Sequence, residues 1–144
     1  MERMRATLVG RFLLLAVLAL IVLVPLWYMA SPTFARPPTW IAGSAMEKIF
    51  PWVKSFEVRG IQSVLHTAVQ ARARGPAGDV LVELTTRASY PVLGYGIALL
   101  WAMMLASRPR MWVLKALAGT VILFFFQALG ICFTWLKDVV VLSG

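Results

Sequence analysis

The chain is poor in the residues that build catalytic and metal centres. It has one cysteine, Cys132, one histidine, His66, and six acids among 144 residues. A lone cysteine excludes an intrachain disulfide and a cysteine-built zinc site. The acids Glu47, Glu57, Asp79, Glu83 and Asp138 show no paired spacing of the kind general acid–base chemistry uses. There is no glycine-rich phosphate loop and no ligand cluster, so neither a metal nor a cofactor is expected. No internal repeat is visible, and the two halves differ in spacing, which gives no support to an inverted-repeat transporter. Charge is scarcest in three long blocks, residues 12–29, 90–106 and 113–135. These hold no acid and no histidine, and their single cation, Lys115, stands at the start of the third. A helix needs about 17–25 apolar residues to cross a bilayer core, and each block has that length. The composition is 60% hydrophobic. A soluble domain is nearer half apolar, so the excess is expected to face lipid.

What charge there is has one sign, with a formal net of +8. In a soluble protein that would suggest nucleic acid. Beside three apolar blocks it reads as orientation, and no nucleic-acid partner is expected. Arg3, Arg5 and Arg11 precede the first block, and Arg108, Arg110 and Lys115 surround the short second loop. Basic residues in short loops stay cytoplasmic. The expected layout is a cytoplasmic N-terminus (1–11), a first span (12–29), a periplasmic segment (30–89), a second span (90–106), a cytoplasmic turn (107–112), a third span (113–135) and a periplasmic C-terminus (136–144). The first block is longer than the apolar core of a signal peptide and ends in aromatics, so it reads as an uncleaved anchor.

The fold class is therefore a mainly α membrane protein: three transmembrane helices and a small extracytoplasmic α+β segment. In that segment Ser31-Pro32 and Arg36-Pro37-Pro38 should break the helix. Residues 39–50 have a short amphipathic pattern, with Thr39 as cap and Ile41, Ala45, Met46, Ile49 and Phe50 as the apolar stripe. Residues 53–59, 62–72 and 79–87 read as strands of an antiparallel meander. Gly75-Pro76-Ala77-Gly78 supplies one turn and Gly60 another turn or bulge. Leu65, Thr67, Val69, Ala71, Val80, Val82 and Leu84 fall on strand faces by alternation. About 60 residues make a marginal domain alone, so the segment should lean on the membrane or a partner.

Within the spans, Gly94, Ala98, Ala102 and Ala106 recur every four residues, a pattern that lets helix backbones approach closely. Such a stripe could serve the hairpin of spans two and three or a partner helix. Apart from Lys115 at the start of the third, Gln127 is the one strongly polar side chain there, and it suits an interhelical hydrogen bond. Trp27, Tyr28, Trp40, Trp52, Trp135 and Lys137 are expected as interfacial anchors. Cys132 and His66 would make a thiol enzyme only if they met, since a thiolate needs a nearby base.

Several stretches carry a resemblance. They are Pro25-Leu26-Trp27-Tyr28, Ile49-Phe50-Pro51, Val58-Arg59-Gly60, Tyr90-Pro91-Val92-Leu93-Gly94-Tyr95-Gly96, and Phe126-Gln127-Ala128-Leu129-Gly130-Ile131-Cys132-Phe133 followed by Leu136-Lys137. In this order the chain resembles the exosortase H-associated membrane proteins of Gram-negative bacteria over nearly its whole length. The resemblance implies an inner-membrane companion of an exosortase, a multi-span cysteine transpeptidase that acts on proteins bearing a C-terminal sorting signal and supplies its own catalytic Cys, Arg and His. The expected role is then a non-catalytic accessory protein whose partners are membrane lipid and an exosortase-like protein or its substrate. A thiol-dependent enzyme using Cys132 and His66, or a structural subunit of an unrelated membrane complex, stands as the alternative.

Overall fold

A computed structural model describes residues 2–75 and 78–143, with side chains placed outside 2–6, 73–75 and 78–80. Helices stand at both ends of the chain and a sheet is threaded between them. In order these are α1 (Glu2–Phe34), α2 (Arg36–Ile49), β1 (Val53–Arg59), β2 (Gln62–Gly75), β3 (Gly78–Ser89), α3 (Tyr90–Gly94), α4 (Gly96–Ser107) and α5 (Trp112–Ser143). Three helical stretches, Thr7–Ile49, Tyr90–Ser107 and Trp112–Ser143, are long and apolar enough to cross a membrane.

Proline does not end the first helix at Ser31-Pro32, which corrects the expected break. Pro32 lies inside α1. A proline there leaves the carbonyl four residues back without its donor. That carbonyl belongs to Tyr28, and Ser31 Oγ donates to it at 2.7 Å. The serine side chain replaces the bond that the proline removes. Ala35 then keeps a helical φ of −69° and ψ of −25°, and α2 places Pro37 and Pro38 in its first turn. First-turn N–H groups lack helical partners in any case, so prolines are tolerated there. Thr39 is therefore an internal residue and not a cap. Its Oγ1 donates to the Ala35 carbonyl and also shares a hydrogen bond with Ser63 Oγ of β2.

The buried face of α2 is rotated from the expected stripe. Pro38, Thr39, Ala42, Gly43 and Met46 are buried, whereas Ile49 is exposed. The cause is how closely the sheet approaches. A Cβ added to Gly43 would come within 2.2 Å of the Phe56 ring in β1. Small residues, more than bulky ones, permit that contact.

The sheet is the expected antiparallel meander, order β1-β2-β3. β1 has the expected bounds, while β2 and β3 run further. Arg59 pairs with Gln62, leaving Gly60-Ile61 as a two-residue link with Gly60 at φ +61°. Glycine takes that left-handed geometry without a Cβ penalty. Gly75 pairs with Gly78, and the Pro76-Ala77 tip lies outside the described residues, as do the side chains of Arg3, Arg5, Arg74, Asp79 and Val80. Near the helices the face of Ser63, Leu65, Thr67, Leu84, Thr86 and Ala88 is buried, and Val64 is buried on the opposite face as well, so alternation is incomplete there. Further out it persists on β2 but is shallower: Val69 and Ala71 are half-buried between exposed neighbours, and Val82 of β3 is exposed. β1 begins at Val53 opposite Thr67, so beyond Thr67 β2 and β3 continue as a two-stranded ribbon.

α2 and the C-terminal part of α5 cover the inner sheet face. Ala42, Met46, Leu65, Ala88, Ile131 and Trp135 form one core there. A second core joins Trp27 and Ala35 to Tyr90, Ile97 and Ala98, with Val58 of the sheet against it. α5 has 32 residues. That is about 48 Å of helix, against about 30 Å for a bilayer core. The helix thus does not end with the third apolar block at Trp135. The helix continues to Ser143, with Val139 buried in its last part.

Replacing Gly43 by Ala tests the α2–sheet contact. Propensity alone would favour Ala by up to about 1 kcal/mol, but overpacking costs about 1–3 kcal/mol. A net loss of about 1 kcal/mol in detergent unfolding is expected. Adding Phe56→Leu should recover most of it.

Candidate functional site

The residues that could carry function lie in three places. The first is the middle of the helical bundle. Gly94, Ala98 and Ala102 are buried, and their face is filled by α1 of the same chain. A Cβ on Gly94 would come within 2.6 Å of the Tyr90 ring and 3.0 Å of Trp27. The stripe thus packs chiefly on the first helix, and not mainly within the hairpin of α4 and α5. Gln127 is buried, and its Oε1 accepts a hydrogen bond from Tyr90 Oη at 3.2 Å. The Tyr90 ring also meets Trp27, centroids 6.3 Å apart. Gln127 Nε2 and Trp27 Nε1 are buried without partners among the described residues. On α4 and α5, Trp101 Nε1 donates to Thr120 Oγ1 at 2.9 Å.

The second place is the outer sheet face. Glu57 and Arg59 are two apart on β1 and so share a face. Arg59 meets the Glu57 carboxylate at 2.6 Å, and His66 Nε2 lies 2.9 Å from Glu57 Oε1. Thr85 Oγ1 stands 3.4 Å from the other ring nitrogen of His66. Lys54 pairs with Glu83 beside them. The hydrogen bond from His66, then that from Arg59, holds the Glu57 carboxyl below the usual carboxylate range. Residue type and spacing along the sequence do not join Glu57 to His66 and Arg59. The two-residue Gly60-Ile61 turn fixes the register, and register was the signal that could have joined them.

The third place is Cys132. It is half-buried on α5, where its Sγ faces the Ala42 carbonyl at 3.7 Å and lines a small cleft with Ile41, Ala45 and Phe125. Cys132 packs on the core that contains Leu65, and His66 points to the opposite sheet face. The sheet therefore lies between the thiol and the imidazole, and the structure does not bring them together. Among the described residues no group of His, Cys, Asp or Glu could hold a metal.

The expected anchors divide. Tyr28 and Trp40 are exposed. Trp52 is half-buried against Phe50, centroids 5.0 Å apart. Lys137 is exposed and pairs with Asp138 at 3.2 Å. Trp27 and Trp135 are internal, which corrects their reading as surface anchors. Trp135 has no exposed area, and its Nε1 donates to the Ser63 carbonyl at 3.1 Å. An apolar body with one polar tip suits a helix–sheet joint as well as a membrane interface.

Comparison with known proteins gives one family. The model described as exosortase H-associated membrane protein matches residues 6–144. Neither the curated proteins nor the solved structures contain a match.

Two measurements follow from this geometry. In a double-mutant cycle, Tyr90→Phe with Gln127→Leu should show a coupling of about 0.6–1 kcal/mol, the size of interhelical hydrogen bonds in membranes. The Glu57 carboxyl signal followed by NMR should titrate below the free value, and His66→Gln should raise its midpoint. Because this pKa is depressed in the folded sheet, its contribution to stability is present above the unfolded pKa and is lost as pH falls through the folded one.

Proposed function

The chain belongs to the exosortase H-associated membrane protein family, and from that membership we propose that it is a non-catalytic accessory protein of an exosortase-type protein-sorting system. The observation carrying this reading is the family match, which takes in both the helices and the sheet. In this proposal the chain crosses the bacterial inner membrane three times, with the N-terminus cytoplasmic and the sheet domain periplasmic. The domain binds the exosortase-like protein, or a protein bearing a sorting signal, beside the outer membrane–water boundary.

Two features support the reading. Arg11 and Arg108 flank one cleft at the end of the bundle away from the sheet, as a cytoplasmic end would require. The small-residue stripe is filled by α1, so a partner helix would meet the bulky outer faces instead. Phe126 and Phe133 of α5 are exposed there. The separation of Cys132 from His66 disfavours the thiol-enzyme alternative.

The decisive experiment is affinity capture of the tagged chain in mild detergent, followed by mass spectrometry. A multi-span membrane cysteine transpeptidase should be recovered, and its consistent absence defeats the proposal. Phe133→Ala should lower that recovery more than Thr33→Ala, an exposed control elsewhere on α1. Cys132→Ser should leave sorting in cells unchanged. Reporters fused at the two termini should register opposite sides of the membrane.

A further inference from the structure

At the end of the bundle remote from the sheet, α1 and the α4–α5 turn enclose a cleft of about 550 Å³, lined by Leu8, Arg11, Phe12, Leu15, Ser107 and Arg108. It runs on between the helices into a second cleft of about 290 Å³, where Leu18, Ala19 and Leu105 join Leu15 and Ala106. The groove is thus cationic at its mouth and apolar along its length. From Leu8 to Ala19 it follows about 17 Å of helix rise, close to the roughly 15 Å that one leaflet gives a bilayer core.

Neither guanidinium has an ion-pair partner among the described residues. The acids whose side chains are described, Glu47, Glu57, Glu83 and Asp138, all lie on α2, the sheet or the far part of α5. Arg108 also occupies a special backbone position. It closes α4 in the left-handed region, φ 40° and ψ 52°, with its N–H bonded to the Met104 carbonyl. Glycine is the residue that takes this position most readily. The chain instead places a long cation there, opposite Arg11 across the cleft.

We propose that this groove binds one anionic glycerophospholipid. Its phosphate sits between Arg11 and Arg108, and one acyl chain lies along Leu15, Leu18, Ala19 and Leu105. Charge complementarity favours this occupant: an apolar partner helix would leave two guanidinium groups unmatched at the mouth, whereas a phosphate accepts hydrogen bonds from both while its acyl chain fills the apolar length. This inference stands apart from the sorting role and survives the failure of that reading.

The test uses the full chain in nanodiscs of equal phosphatidylglycerol and phosphatidylcholine, with retained lipid read by native mass spectrometry. Phosphatidylglycerol should be retained at least about fivefold over phosphatidylcholine, and each arginine should account for about fivefold in affinity. Arg108→Gly suits the backbone and should keep the fold, yet lower the preference about fivefold. Arg11→Gln should do the same. Lys115→Gln, at the same end but outside the groove, should change the preference little. Equal retention of both lipids overturns the proposal. So does a loss in Lys115→Gln matching that in Arg108→Gly, or displacement of the lipid by excess inorganic phosphate.

Discussion

The part of this protein outside its helical bundle depends on one side chain. Trp135 lies wholly inside, donates its indole N–H to the Ser63 carbonyl, and packs with Ala42 and Met46 of α2 and with Leu65 and Ala88 of the sheet. Three elements far apart in sequence meet on that ring. A three-stranded sheet is near the lower limit of independent stability, and it holds here because two helices cover one of its faces. Ser63 contributes twice, since its carbonyl receives Trp135 and its hydroxyl meets Thr39. The same short strand segment therefore fixes both α5 and α2.

Much of this architecture was legible because lipid and sheet impose simple periods. Blocks of span length with a single charge among them marked the three long helices, and strand alternation marked Leu65, Thr67 and Leu84. What stayed hidden depended on pairs of residues remote in sequence. The helix runs through Pro32 because a serine one residue earlier supplies the missing donor, and a propensity argument sees the proline but not the repair. The face of α2 turned on Gly43 lying against Phe56, a contact no helical pattern contains. Trp135 and Trp27 were misplaced because tryptophan suits a membrane interface and a buried joint equally well. Pattern identified the small-residue stripe, but pattern cannot say which helix lies on it.

Polar chemistry is sorted to the two ends and kept sparse between them. The sheet end holds the mutual network of Glu57, Arg59, His66 and Thr85, in which charges and hydroxyls satisfy one another. The opposite end holds arginines with no described acid nearby. Between them Tyr90 and Gln127 share one hydrogen bond, and two buried donors beside it are unmatched within the described residues. The Tyr90–Gln127 bond gives the bundle a defined register, because it ties one position of α3 to one position of α5.

α5 is unbroken from Trp112 to Ser143 and belongs to both halves of the molecule. It contains no proline, and the helix is continuous where it leaves the bundle and enters the sheet core. A stiff rod of this kind has no joint at which rotation could be absorbed. Any tilt or roll imposed on its lower portion is delivered to the meander as torque through Trp135, so the sheet is geared to the orientation of the third helix.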